Sequence, residues 1–381
     1  MTRVAVEGTM LKWARERAGR TCESLTPKFA HVADWETGEL QPTLKQLEAF
    51  AKAVHVPIGY LFLREPPEEP VPIPDFRTVA DQPLRRASPD LLDTVYLCQQ
   101  RQEWFRDDAR QAGAQPIPFV GSLSLSADVV RSASSIRTAL GFHLEAQRRL
   151  PTWTDALRRF IELADALGVL VMVSGVVGSN NQRPLDPEEF RGFALADPLA
   201  PLVFINGADT KAAQLFTLAH ELAHLWLGES ALSDACAAEA PTQVVERWCN
   251  RVAAEMLIPL SVFSAVHDPE ADLRGELDRL ARRFKVSTLV VLRRTHDASS
   301  LMGDAYWRAY NAEVERLQEL SGGSGGNFYL TLGARVSKRF ARAVVSSTLE
   351  GRSSFTEAFR LLGFKKMSTF KQLSTSLGVP M

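Results

Sequence analysis

The sequence contains no apolar run near the roughly 20 residues needed to span a membrane, so no membrane partner is expected. Its first residues, MTRVAVEGTMLKWARERAG, lack the apolar core of a signal peptide, and the expected location is the cytoplasm. Cysteine is scarce: Cys22, Cys98, Cys236 and Cys249 form no C-x-x-C pair and no dense framework, which suits reduced thiols and requires no disulfide. There is no internal repeat, and the only low-complexity tract is SGGSGG at 321–326. What remains is a globular composition, 45% hydrophobic and 23% charged over 381 residues, enough for about two or three domains with real cores.

Net charge is also small, −1, but unevenly distributed. From Asn327 to Met381 nine Lys and Arg face only Glu350 and Glu357, a local +7 that leaves −8 for the rest. A basic terminal segment carrying Arg335, Lys338, Arg339, Arg342, Lys365, Lys366 and Lys371 is an electrostatic footprint for nucleic acid or an acidic protein partner. The alternative is a solvated helical face that keeps the protein soluble.

Residues 1–64 read as short helices, and EPPEEPVPIPDFRT, with prolines at 66, 67, 70, 72 and 74, opens an extended connector over 65–87. SPDLLDTVYLCQQRQEWFRDDARQAG (88–113) has a Ser cap, an early Pro and a closing Gly, and predicts a long helix; a second is expected at 127–140, both within a helical segment 88–149. In the region 150–304 a helix over about Thr154–Leu167 stops at Gly168 and runs into VLVMV, read as a strand. FRGFALAD and PLVFIN read as two further strands, and Asp209 as the cap of a helix ending at Gly228. QVVERWCNRVAAEMLIP is an amphipathic helix stopped by Pro259, and LRGELDRLARRFKVSTLVVLRRTHD two small helices with a turn at KVS. A helix and the Gly/Ser joint fill 305–326, and 327–381 is a basic C-terminal domain.

The chemistry concentrates in TLAHELAHLWLGES, 217–230. On a helix His220 and His224 lie one turn apart on one face, so both imidazoles can reach one cation, with Glu221 beside them for a water. The competing reading is an ordinary buried helix with a satisfied His pair. Catalytic zinc takes three protein ligands, and Glu246 on the next helix is the candidate third. Asn250, four residues on, falls on the same face, where its amide oxygen could accept the other N–H of a ligand histidine. Cys249 is a rival ligand; Asp234, Cys236, Glu239 and His267 are weaker because nothing in their spacing recommends them. His31, His55, His143 and His296 read as surface or ordinary core positions. With zinc bound, Glu221 would act as general base and proton carrier in peptide hydrolysis. FRGFAL is a candidate sheet edge for an extended substrate; otherwise it is a plain core strand.

FTLAHELAHLWLG followed by VERWCNRVAAEMLIP resembles the ImmA/IrrE family of zinc metallopeptidases, and EFRGFALADPLAPLVFINGADTKAAQLFTLAHE resembles that family's strand-strand-helix entry. The resemblance covers about 150–260 and implies His220, His224 and Glu246 as zinc ligands, Glu221 as catalytic base, and a helix-turn-helix repressor as the kind of protein cleaved. DWETGELQPTLKQLEAFAKAVHVPIGYLFL resembles the second half of an XRE-type helix-turn-helix domain, although the stretch between Leu25 and Trp35 is too short for a usual turn and reading helix and offers Asp34 to DNA. The whole arrangement resembles bacterial proteins encoded beside a small PIN-like ribonuclease, which implies such a toxin as partner.

The expected fold is therefore α+β and mostly helical: a zincin-like peptidase domain with a small, about three-stranded sheet between helical N- and C-terminal domains. The leading functional expectation is a zinc endopeptidase cutting a regulatory protein in a stress, mobile-element or toxin–antitoxin setting. The alternative is a non-proteolytic antitoxin or transcriptional regulator that binds the ribonuclease or nucleic acid.

Overall fold

The computed structural model describes residues 3–75, 87–233, 243–320 and 335–379. Residues 76–86 of the connector, Asp234, Cys236, Glu239, the SGGSGG tract and the GGNFY stretch lie outside the described residues. The described chain divides into two units, residues 3–72 with 87–95, and residues 73–75 with those from 96 onward.

In the first unit helices α1 (Gly8–Arg17), α2 (Cys22–Leu25), α3 (Val32–Thr37) and α4 (Leu44–Ala53) precede a 3-10 turn at Ile58–Phe62. They close over Met10, Leu11, Trp35, Leu47, Phe50 and Leu61. Arg15 clamps Glu36 with two parallel bonds of 2.6 and 2.8 Å, tying α1 to α3. A reciprocal Thr43–Gln46 capping box starts α4. The shortened stretch noted in the sequence yields a six-residue α3 that buries Val32 and Trp35, while the Asp34 carboxylate lies 2.9 Å from the His31 ring.

In the second unit α5 (Pro89–Gln111) enters from the first and is followed by α6 (Val129–Leu140), α7 (Leu144–Arg148) and α8 (Trp153–Leu167). The expected helices at 88–113, 127–140 and 154–167 are all present. Thr152 caps α8, and at Gly168 the backbone turns with φ of 111°, a left-handed step that sends the chain straight into the sheet.

The sheet contains β1 (Leu170–Ser174), β2 (Gly192–Leu195), β3 (Leu202–Asn206) and β4 (Ala231–Ser233), in the order β1-β3-β2-β4. β1 runs parallel to β3, and β2 antiparallel to both β3 and β4. The expected sheet thus gains a fourth strand. FRGFAL, considered as an edge for substrate, is paired on both sides, so the plain core-strand reading holds and the edge belongs to β4.

α9 (Lys211–Leu227) links β3 to β4 and is buried continuously from Gln214 to Trp226. Its cap is Thr210, whose hydroxyl accepts from the Ala213 amide; Asp209, the expected cap, instead accepts from the Thr210 amide at 2.7 Å. At the other end the carbonyls of Leu225 and Trp226 accept from Gly121 and Leu123, and Phe119 stacks on Trp226 at 4.0 Å. α10 (Val244–Leu257) packs along α9 and ends before Pro259.

Then come α11 (Leu260–Ser264), α12 (Leu273–Phe284), α13 (Thr288–Asp297) and α14 (Gly303–Leu320), with a left-handed Lys285 making the expected turn between α12 and α13. The basic C-terminal segment forms α15 (Lys338–Leu349), α16 (Phe355–Leu362) and α17 (Met367–Ser376) around Phe340, Val344, Leu361, Leu362 and Phe370. Arg101 of α5, buried, donates to the carbonyls of Leu361 and Arg335, and Ser179 to that of Gly363, so this segment is seated on the second unit. No helix among the described residues is long and apolar enough to cross a membrane.

Candidate metal centre

Three polar side chains converge in the middle of the α9–α10 pair. His220 and His224 sit one turn apart on α9, and Glu246 projects from the first turn of α10. The two Nε2 atoms are 3.1 Å apart; the Glu246 carboxylate lies 3.2 Å from Nε2 of His220 and 3.0 Å from Nε2 of His224. These residues are the group of three among the described residues whose donor atoms could hold one metal ion. All three are buried, with Glu246 the most accessible at 2%.

The tautomer of His220 follows from its neighbour. Nδ1 of His220 faces Oδ1 of Asn250 at 2.8 Å; an amide oxygen only accepts, so Nδ1 carries a proton and Nε2 is the nitrogen that faces the cluster and could give a metal its lone pair. Asn250 is placed for this because it follows Glu246 by four residues, one turn of α10. Cys249, three residues on, points into the apolar core, where burial raises its thiol well above the usual range. It is not one of the converging donors, and neither is His267, which stacks on Phe263 and pairs with Glu276 on α12.

Electrostatics in the cluster are strongly coupled. Burial opposes ionisation of Glu246, but the charge and hydrogen bonds of His220 and His224 outweigh it and hold the carboxyl well below its usual range. Burial likewise disfavours a His220 cation, yet Glu246 reverses that and raises its pKa; for His224 burial prevails and lowers it. Glu221 is different. It is fully buried; the charge of His220 and the Ser233 hydroxyl partly offset that burial, which still pushes its pKa up to about 8.

Three neighbours of this centre left no trace in the sequence pattern. Ser233 at the end of β4 brings Oγ to 3.4 Å from Nε2 of His224 and 3.5 Å from Glu246. Gly192 of β2 lies so close to α9 that an added Cβ would stand 2.5 Å from Cγ2 of Thr217 and 3.4 Å from Cγ of Glu221. Thr217, one turn before Glu221, keeps a buried hydroxyl without a partner among the described residues.

Arg339 lies over the Phe105 ring, Arg342 donates to the Leu377 carbonyl, and Arg335 is partly buried, which lowers its pKa. Lys338, Lys365, Lys366 and Lys371 stay exposed without an ion pair among the described residues.

Comparison with known proteins falls on the same regions. Residues 336–376, which take in α15 to α17, match a domain family of unknown function. A relative among curated proteins, the radiation response metalloprotease IrrE of Deinococcus radiodurans, is 36% identical over 96 residues, covering 24% of this chain and 29% of that protein, so the chain spans less than a third of the relative's length. Residues 164–296, which contain the whole sheet, α9 and α10, match the IrrE N-terminal-like domain family, so the segment that assembles the three donors is the segment with an IrrE-like counterpart.

Proposed function

We propose that this protein is a zinc-dependent endopeptidase acting on a specific protein. The observation that carries the reading is the trio of donor spacings, 3.0, 3.1 and 3.2 Å, beside the fully buried carboxyl of Glu221. Donors each 2.0–2.1 Å from a tetrahedral zinc lie about 3.3 Å apart, close to what His220, His224 and Glu246 present. Zinc held by these three would supply a Lewis acid with a fourth position for water or substrate. Asn250 would fix the His220 ring, and Ser233 would flank the ligands. Glu221, buried next to His220 on the same helix, would take a proton from the attacking water at a carboxylate oxygen and deliver it to the leaving amine. The likeness to a metalloprotease supports the same chemistry, and the resemblance drawn from the sequence points to a regulatory protein, such as a helix-turn-helix repressor, as substrate.

Elemental analysis of the purified protein beside Glu246→Ala and Cys249→Ala tests the site. Near-stoichiometric zinc lost only in the glutamate variant is expected; zinc lost in the cysteine variant, or absent throughout, refutes the ligand set. Glu221→Gln should keep the zinc and lower cleavage of a peptide library, read by mass spectrometry, by about 10²–10⁴-fold.

The four exposed C-terminal lysines, unpaired among the described residues, favour a second reading, a regulator that binds nucleic acid or an acidic partner such as a PIN-like ribonuclease. It predicts binding whose affinity falls steeply with salt and survives Glu221→Gln.

A further inference from the structure

The free side of β4 is where an extended peptide would add to the sheet, and part of it is already taken. The Leu232 amide of β4 donates to the Pro74 carbonyl at 2.9 Å, and Asp75 pairs with Leu232 as a parallel bridge. Ile73, the residue before this contact, is buried at 8% exposure. The chain's own connector therefore lies along the outer strand, one residue from Ser233 and its contacts to His224 and Glu246.

The pairing is a single isolated bridge, and the sequence gives a reason for its weakness. In a strand the N–H and C=O of one residue point to the same side, and side chains alternate. Pro74 faces β4 with its carbonyl but has no N–H to offer in return. Proline in an edge strand ordinarily turns its missing donor to solvent; here Pro74 turns it to the sheet, so at this residue β4 meets an acceptor alone. A strand held this way is anchored by the Ile73 side chain and is displaceable by a peptide that offers both donors and acceptors.

We infer that Ile73–Asp75 is a built-in competitor for the β4 edge, and that the protein engages an extended peptide segment by displacing it. The inference rests on the peptidase reading for its purpose, though not for its test. The probe is a fluorescein-labelled synthetic peptide of residues 68–77, EEPVPIPDFR, added to the full-length protein and to Ile73→Asp, with Ile73→Ala as the milder variant should the first fail to fold. Amide hydrogen exchange is followed at Leu232, and at Val203 and Phe204 as a check that the sheet is intact. The expected result is about tenfold faster exchange at Leu232 in the variant, protection restored by the peptide, and binding about tenfold tighter to the variant than to the unaltered protein. Equal Leu232 exchange in both proteins overturns the strap. Faster exchange without peptide binding overturns the competition. Neither readout uses turnover, so a protein that cleaves nothing fails the peptidase reading while the strap and its displacement are still decided by exchange and binding.

Discussion

Replacing Asn250 with Leu removes the acceptor for the His220 ring N–H. The side chain is 5% exposed, and its Oδ1 accepts from Nδ1 of His220 at 2.8 Å. Leucine keeps the branching but is bulkier, which adds some overpacking, and the His220 N–H is left buried without an acceptor, at a cost of about 1–3 kcal/mol. An independent estimate comes from ligand-orienting partners in metal sites, whose loss weakens metal binding by about 10–100-fold, or about 1.4–2.8 kcal/mol. The two agree because they describe one event: the imidazole is no longer held in the tautomer that aims Nε2 at Glu246 and His224. Zinc affinity, measured by competition with a chromophoric chelator, should fall by about 10–100-fold in Asn250→Leu. Asn250→Asp, which still accepts, should stay within about tenfold of the parent. Zinc held as tightly by the Leu variant as by the parent would refute the assignment of His220 Nε2 as a ligand atom.

Gly192→Ala places a methyl 2.8 Å from the Phe204 carbonyl oxygen, a backbone atom that cannot step aside, and 2.5 Å from Thr217; overpacking of this kind should cost about 1–3 kcal/mol, visible as a lower thermal midpoint. Glu276 accepts from Arg279, from the Asp268 amide and from His267, and the Arg279 bonds lead in holding its pKa down to about 2. A carboxyl depressed in the folded state stabilises above its unfolded pKa, and the contribution is lost as pH falls from about 4.5 through 2. With Arg279 half exposed, about 1–2 kcal/mol is expected, so urea titrations of Glu276→Gln should show that loss at pH 7 and convergence with the parent near pH 2. Free zinc at about a thousand times its Kd should raise unfolding free energy by about 4 kcal/mol in the parent and in Glu221→Gln, and by nearly nothing in Glu246→Ala, as followed by thermal melts in zinc buffers.

How far the sequence could be read depends on what each signal encodes. The caps of α8 and α9 are local, so Gly168 and Gly228 mark both helix ends, while the start of α9 is displaced by one residue because Asp209 and Thr210 both have capping oxygens. α9 itself is buried all round, so its apolar pattern has little period; it is legible through His220, Glu221 and His224, polar residues in a run otherwise built for a core. The four-residue step from Glu246 to Asn250 carries the second half of the site. β4 is three residues long, too short for any alternation to register, and with it Ser233 and the true sheet edge stay hidden. The fates of Arg339 and Arg342 depend on where α5 and the chain end come to lie, which no count of charges contains.

The placement of Glu221 argues against an inherited helix that has lost its chemistry. Each of the three converging donors has a partner in this centre, and His220 has Asn250 behind it as well. A histidine pair kept only for packing needs nothing more, and position 221 could then carry any apolar residue. Instead it carries a carboxyl in full burial, with the Ser233 hydroxyl offsetting that burial only in part, beside a Thr217 hydroxyl without a partner among the described residues, and β2 approaches them at a glycine. Burying groups so thinly paired is costly in a protein whose net stability is only about 5–15 kcal/mol. Stability alone gives no reason for an arrangement of that kind, whereas the proton carrier proposed above, which must meet water and substrate, calls for one.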